Sequence, residues 1–368
     1  MSGIPAQSPG PRPLHVLQLL GSGGAGTGEH VRSLAAGLVA RGVKVTVSAP
    51  AGAEHHYRFA DVGARFAELP AGSRARAAWR AHTLAARADL VHAHGLRAGA
   101  VAALATRARP VPLVLTWHVR RDSYGPTAPL RDATEAMVAR ASSVVLGATT
   151  ELVDRARRRG ARDARLAPVG LPSPRTAPDD AGGSAAARTE LGLGESPLLL
   201  ATATLEPGQG HETLLSAAEH WRARGAPPLL ALVGDGPLRP ELERRVTREQ
   251  LPVRLLGDRR DGRRLLAAAD IAVSAGGWDG RGLAAQEALR VGVPLVATGV
   301  GGMPRLVGDA AVLVPAAEPR ALADAVSGLL ADPARRAALS AAGRSRADTW
   351  PTEDHTVAHV LSVYDEFA

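Results

Sequence analysis

The chain has 368 residues, 45% of them apolar, enough for two ordinary α/β cores, but it contains no uncharged apolar run of about 18 residues that would span a membrane. It has no cysteine, which excludes disulfides, thiolate metal sites and a cysteine nucleophile. The formal charge is +8, yet Lys44 is the only lysine among 44 basic residues, and three Phe and three Tyr offer few stacking platforms. The charge therefore reads as an arginine-rich composition and not as a nucleic-acid surface.

Residues 1–11 are rich in Pro, Gly and Ser and lack an apolar segment, so they read as a disordered tail and not a signal peptide. Leu14–Leu20 is an apolar run of strand length. Gly21-Ser22-Gly23-Gly24-Ala25-Gly26 follows, and Thr27 stands where it can cap a helix whose apolar positions Val31, Leu34, Ala35, Leu38 and Val39 recur at helical spacing. Gly42 stops that helix, and Val43, Val45 and Val47 alternate along a second strand. This βαβ order implies parallel strands. Further strands are expected at Asp89–His92, Leu113–Trp117 and Ser143–Leu146, which sets a first domain at 12–172.

Residues 173–194 lose periodicity and read as a linker. A second domain at 195–345 starts the succession again, with strands at Pro197–Ala203, Leu229–Val233, Ile271–Ser274 and Pro294–Ala297. One helix carries Leu214, Leu215 and Ala218, and another is opened by Pro319. Residues 346–368 are expected to form a helix that returns to the first domain, with Val357, Val360, Leu361 and Tyr364 at helical spacing. Two such doubly wound domains bind ligands outside the carboxyl ends of their strands.

The first loop spells G-x-G-x-x-G at Gly21, Gly23 and Gly26, between a strand and a helix. Glycines admit an anion close to the backbone, and a helix N-terminus supplies free N–H groups. A dinucleotide site also needs an acid after the second strand, and that strand ends Ser48-Ala49-Pro50. An NAD-binding Rossmann oxidoreductase is therefore a secondary reading. The segment Ser274 to Leu289 reads as strand, glycine-rich loop and helix, with Asp279 in the loop and Glu287 on the helix. Two acids so placed can accept hydrogen bonds from the hydroxyls of one ligand. Their spacing alone fits incidental acids on a solvated helix better.

Taken with the other loops, this segment resembles the acidic signature of the retaining GT-B glycosyltransferases of family 4. Gly23-Gly24-Ala25 with Glu29-His30, Asp89 to Gly95, Thr116-Trp117-His118, Val233 to Leu238 and Thr298 to Pro304 are similar to that family's other loops, in the same order and over nearly the whole chain. The resemblance implies an α/β GT-B fold, two Rossmann-like doubly wound domains facing a central cleft. The activity it implies is transfer of a hexose from a nucleoside-diphosphate sugar with retention. Glu287 would hold ribose hydroxyls, Asp279 hydroxyls of the transferred sugar, and His118 would lie beside the reacting sugar. Gly24 would sit near the diphosphate or acceptor. Thr204, Gln209, Gly234, Gly236, Gly280, Arg281, Gly282 and Leu283 complete the implied donor contacts. No metal and no cofactor beyond the donor substrate are implied, because helix dipoles and cations can stabilise a leaving diphosphate. The acceptor stays open between a small molecule, a lipid-linked sugar and a polysaccharide. A cytoplasmic location is expected.

The chain departs from the family pattern where charge matters most. Thr204 and Gln209 stand where the family places the Arg and Lys that clamp the diphosphate, and Glu206 lies between them. Losing one preorganised donor of this kind typically costs about 3–4 kcal/mol. Asp279 replaces Glu, Arg281 replaces an aromatic, Arg305 follows Met303-Pro304 where an acid is usual, and Pro168-Val169-Gly170 lacks an Asn. Either Arg281 or Arg305 takes over the clamp through its planar fork, or the chain is a catalytically impaired GT-B protein that binds a ligand or regulates.

Smaller features remain. His92 and His94 have metal-like spacing without a visible third ligand, so no metal site is expected. Asp179-Asp180 falls in the linker. Arg74, Arg76, Trp79 and Arg80 suit either a solvated helix or weak peripheral contact with an anionic inner membrane face. Arg155, Arg157, Arg158 and Arg159 end a helix, where cations suit the dipole.

Overall fold

In the computed structural model, which describes residues 12–21, 25–118, 128–167, 169–170, 181–225, 227–259, 261–277 and 282–367, each long apolar run of the sequence lies inside a parallel sheet. The chain divides into two units, Met1–Pro172 with Pro351–Ala368, and Ser173–Trp350. The first unit contains β1 (His15–Leu20), β2 (Lys44–Ala49), β3 (Arg65–Glu68), β4 (Leu90–His94), β5 (Leu113–Trp117), β6 (Val144–Gly147) and β7 (Ala164–Leu166). Their order is β3-β2-β1-β4-β5-β6-β7, parallel throughout. The second contains β8 (Leu198–Thr202), β9 (Leu229–Val233), β10 (Val253–Gly257), β11 (Ile271–Ser274), β12 (Leu295–Thr298) and β13 (Val312–Val314), in the order β10-β9-β8-β11-β12-β13.

Parallel sheets are covered on both faces, so their inner strands are apolar on both sides. In β8, Leu199 and Ala201 join one core with Trp221 and Leu322, while Leu198 and Leu200 join another with Leu265 and Leu289. In the first unit, Val16, Leu90, Val114 and Val144 share a core with Val31 and Leu34 of the helix Ala25–Val39 and with Val357, Val360, Val363 and Tyr364 of the helix Glu353–Asp365. The last helix thus belongs to the first unit. Thr352 caps it, and Thr356 accepts the Gly170 N–H at 2.9 Å. Leu361 is only partly buried.

Several boundaries differ from the sequence reading. The first helix starts at Ala25, two residues before Thr27. It stops as read from Gly42, whose N–H reaches the Val39 carbonyl at 2.9 Å while the Val43 N–H reaches that of Leu38 at 3.1 Å. The supposed linker 173–194 is in large part structured: Ala181–Glu190 is a helix of the second unit, and Ala187, Leu191 and Leu193 are buried in its core. Arg188 ties it down, donating to the Ala268 carbonyl at 3.1 Å, the Ser196 carbonyl at 2.6 Å and Asp270 at 3.2 Å. Alanine is the best helix former but gives a sequence little apolar contrast to read. Asp179 and Asp180 lie outside the described residues. The second unit runs on to Trp350, through the helix Pro333–Asp348, and not only to 345.

Two of the four arginines assigned to a helix dipole have a more specific task. Arg155 donates two bonds of 3.0 Å to Glu135, and Arg159 donates a third, also 3.0 Å, while pairing with Asp132. Glu135 is buried, and a buried carboxylate requires such partners. The helix Arg74–Ala85 buries Ala77, Ala81 and Ala85 and leaves Trp79 69% exposed. Among the described residues no helix is long and apolar enough to cross a membrane.

The polar exceptions in the first core are held by the last helix. Tyr364 and Thr116 flank His92, at 2.6 Å from Nδ1 and 2.7 Å from Nε2. Burial raises the Tyr364 hydroxyl well above its usual range, so it meets the ring as a neutral phenol. Burial also pushes His92 down to about 3. The unfolded chain takes up a proton on His92 near pH 6.5, whereas the folded chain does not until about 3. This histidine's contribution is complete above pH 6.5 and is lost as pH falls through that interval, by up to about 1.4 kcal/mol per pH unit. A His92→Gln variant should show a denaturation midpoint that falls less steeply between pH 7 and pH 4 than the wild type. Parallel profiles would show that His92 is not held neutral.

Candidate functional site

In each unit the strand order reverses once, at β1/β4 and at β8/β11, and ligands of open α/β sheets bind beyond the carboxyl ends at such points. In the first unit, β1 leads through Gly21 to the N-terminus of helix Ala25–Val39. Neighbouring β4 ends at His94, and β5 leads directly into His118. Register places Leu20 beside His94 and His94 beside Thr116. His92, His94, Thr116 and His118 therefore alternate onto the face covered by the helix Ala25–Val39. That helix brings His30 to within 5.7 Å of the His94 ring and 5.1 Å of the His118 ring, centroid to centroid. The rings of His94 and His118 stack at 5.4 Å, with Nδ1 of the first 3.2 Å from Nε2 of the second. All three are buried. Gly24 lies outside the described residues.

In the second unit, the loops after β8 and β11 lie directly on one another. Gly277 donates its N–H to the Gly208 carbonyl at 2.9 Å, and a Cβ on Gly210 would lie 1.9 Å from the Ala275 carbonyl oxygen. Gly210 also has φ +80°, a conformation that side chains disfavour. Gln209 lines a cavity of about 40 Å³ here with Thr202, Ser274, Gly276 and Ala284. Ligand pockets for molecules of drug size run to roughly 300–1,000 Å³, so this notch alone does not enclose a sugar. Thr204 is exposed, and its carbonyl accepts from His211 Nε2 at 2.9 Å. Gly234 and Gly236 are required by packing, since Cβ atoms there would come within 2.0 Å of the Ala203 oxygen and 2.6 Å of the Leu205 oxygen.

Gly282 precedes the helix Leu283–Val291 and accepts the Gln286 N–H at 2.7 Å. Glu287 lies one turn further and is exposed, yet desolvation by the surrounding protein still raises its carboxyl, with Arg263 and Arg290 pulling it back down. The sequence did not reveal Arg263, because it stands on the helix Gly262–Ala267 after β10 and only folding brings its charge to Glu287. Asp279, Gly280 and Arg281 lie outside the described residues. Arg305 is exposed and among the described residues forms no ion pair, and its carbonyl accepts from Arg346 at 2.6 Å. A larger depression of about 400 Å³ lies among Glu212, Glu241, Arg244, Arg245 and Arg248. Its Arg245 is already engaged by Glu212, Glu249 and Ser216, which marks it as a surface ion-pair cluster apart from this site.

Residues 25–172 match the sequence family described as glycosyl transferase 4-like domain, and residues 196–332 match glycosyl transferases group 1. A D-inositol 3-phosphate glycosyltransferase from Xylanimonas cellulosilytica is 33% identical over 304 residues, covering 75% of this chain and 71% of that protein. The chain belongs to the family 4 glycosyltransferases. A GDP-mannose-dependent alpha-(1-6)-phosphatidylinositol monomannoside mannosyltransferase from Mycolicibacterium smegmatis is also 33% identical, over 53% of this chain and 55% of its own, so this glycosyltransferase spans only about half the length of that relative. The fold is that of Anabaena HepE, solved with UDP and glucose: TM-score 0.84 at 20% identity, over 96% of this chain and 100% of that one. The chain is therefore a GT-B transferase built from two Rossmann-like parallel-sheet domains, and the oxidoreductase reading is left without support.

Replacing Gly210 by Ala forces both a left-handed side chain and a backbone clash, so it should destabilise this transferase by at least about 1 kcal/mol. Chemical denaturation of the Gly210→Ala variant measures this. A loss below a few tenths would mean that the two loops separate easily.

Proposed function

We propose that this glycosyltransferase moves a hexose from a nucleoside-diphosphate sugar to an acceptor hydroxyl with retention at the anomeric carbon. The observation that carries this reading is Glu287, a partly desolvated yet accessible carboxylate one turn into the helix that follows β11, at the reversal point of the second sheet. In this reading it accepts hydrogen bonds from the ribose. Gly282 and Leu283 open the helix toward the donor, Asp279 and Gly280 meet the sugar, and His118 is the histidine that the family reading assigns to the reacting sugar. Gly234, Gly236, Thr204 and Gln209 line the diphosphate side. The bond from the anomeric carbon to phosphate oxygen is exchanged for one to the acceptor oxygen on the same face.

The leaving diphosphate needs positive charge, and neither Thr204 nor Gln209 supplies it. Arg281 and Arg305 stand in the sequence where they can contribute, and Arg263 adds a cation beside Glu287. The chemistry asks for no metal and no cofactor beyond the donor. Both relatives above have an inositol in their names, which makes inositol phosphates and phosphatidylinositol the first acceptors to offer.

Calorimetry with GDP-, UDP- and ADP-hexoses should detect one donor that binds. Glu287→Ala should weaken it about 10- to 100-fold, the worth of hydrogen bonds to a charged group. No heat with any sugar nucleotide would overturn the reading in favour of a binding or regulatory module. Arg263→Ala, Arg305→Ala and Arg281→Ala identify the cation that meets the diphosphate.

We also propose weak peripheral contact of the cytoplasmic protein with anionic membrane, on the strength of exposed Trp79 beside Arg74, Arg76 and Arg80 on the helix Arg74–Ala85. Co-sedimentation with vesicles should rise with acidic lipid and fall on Trp79→Ala. Equal sedimentation with neutral vesicles would remove the proposal.

A further inference from the structure

The histidine-rich end of the first sheet was read from sequence as lacking a third metal ligand. Folding supplies one, by a different pairing. His92 is engaged on both ring nitrogens by Tyr364 and Thr116. His94 instead meets His118 from the neighbouring strand and His30 from the helix above. One ring nitrogen from each of these three lies within 4.8 Å of the other two. A tetrahedral zinc ion with Zn–N bonds of about 2.0–2.1 Å holds its nitrogens about 3.3–3.4 Å apart. The His94–His118 separation of 3.2 Å is already close to that value, and the His30 ring stands edge-on to both others, at interplanar angles of 70° and 65°.

Two further points favour a cation of this type. The donors come from two neighbouring strands' carboxyl ends and one helix of the same unit. Imidazole-only ligation suits zinc, copper, nickel and cobalt and not magnesium or calcium, which prefer oxygen.

We propose that His30, His94 and His118 form a three-histidine site for a divalent transition-metal ion of zinc type, with the fourth position open to water or a ligand oxygen. The site does not depend on the glycosyl-transfer reading. An ion bound there engages His118 and so opposes any part that this side chain plays in sugar transfer.

The test uses the untagged full chain, stripped of metal and titrated with Zn²⁺ by calorimetry and with Co²⁺ by visible absorption. One equivalent should bind, Zn²⁺ should bleach the visible band of tetrahedral Co²⁺, and the melting temperature should rise with Zn²⁺. His30→Gln and His94→Gln should each weaken binding by more than the roughly 10- to 100-fold that loss of an outer-shell partner costs. Exposed His55 and His56, changed together to Gln, should leave it unaltered. X-ray absorption of the zinc-loaded wild type should find three imidazole nitrogens at about 2.0–2.1 Å, a readout that stands even if a variant fails to fold. Absence of stoichiometric binding, fewer than three imidazoles, or unchanged affinity in both single variants would overturn the proposal. Sugar-nucleotide binding measured in parallel is independent of all three outcomes.

Discussion

Burying both faces of two parallel sheets is the constraint from which the rest of this protein follows. A parallel strand cannot face water on either side without losing the cover that its crossover helices provide, so any polar side chain within it needs a partner. In the first unit that condition is met from the far end of the chain. The helix Glu353–Asp365 lays Val357, Val360 and Tyr364 on the sheet, and the Tyr364 hydroxyl completes the hydrogen bonding of His92. The same sheet face carries His94 and His118 to its carboxyl end, under the helix that carries His30. Core packing and the chemistry-bearing end are therefore parts of one surface.

The second unit solves a different problem, how to bring two loops close enough to make a floor. The chains after β8 and β11 touch backbone to backbone, with Gly210 under Ala275 and Gly277 bonded to Gly208. The glycines after β9 are fixed in the same way by the carbonyls of Ala203 and Leu205. Part of what resembles a phosphate-binding pattern is thus a packing requirement of the protein itself. The charged part of the site is carried instead by Glu287 and the arginines around it.

Family membership explains why these loops recur in this order, but it does not restore the missing clamp. In the proposed reaction, a neutral pair at positions 204 and 209 leaves the developing charge of a diphosphate to be met by other groups. An arginine-rich composition offers many, and several of those described here are already paired: Arg155 and Arg159 with Glu135, Arg188 with Asp270, Arg245 with Glu212 and Glu249, Arg264 with Asp261 and Glu190. Arg263 and Arg305 are not among them.

The sequence by itself determined the inner strands, the helix stop at Gly42 and the family. Each inner strand is a short apolar run, buried on both faces, and hydrophobic burial leaves that mark in composition. The four strands it did not reveal, β3, β7, β10 and β13, are the four sheet edges, where one side is open and Arg65, Glu68, Arg165 and Arg254 are admitted. The alanine-rich helix Ala181–Glu190 was missed because small residues pack without apolar contrast. Only the tertiary structure decided that His94, packed on His92, also meets His30 and His118, and that Arg263 comes to Glu287. Those meetings join residues 24 to 88 positions apart in the chain, and no local pattern records which side chains a crossover will bring together.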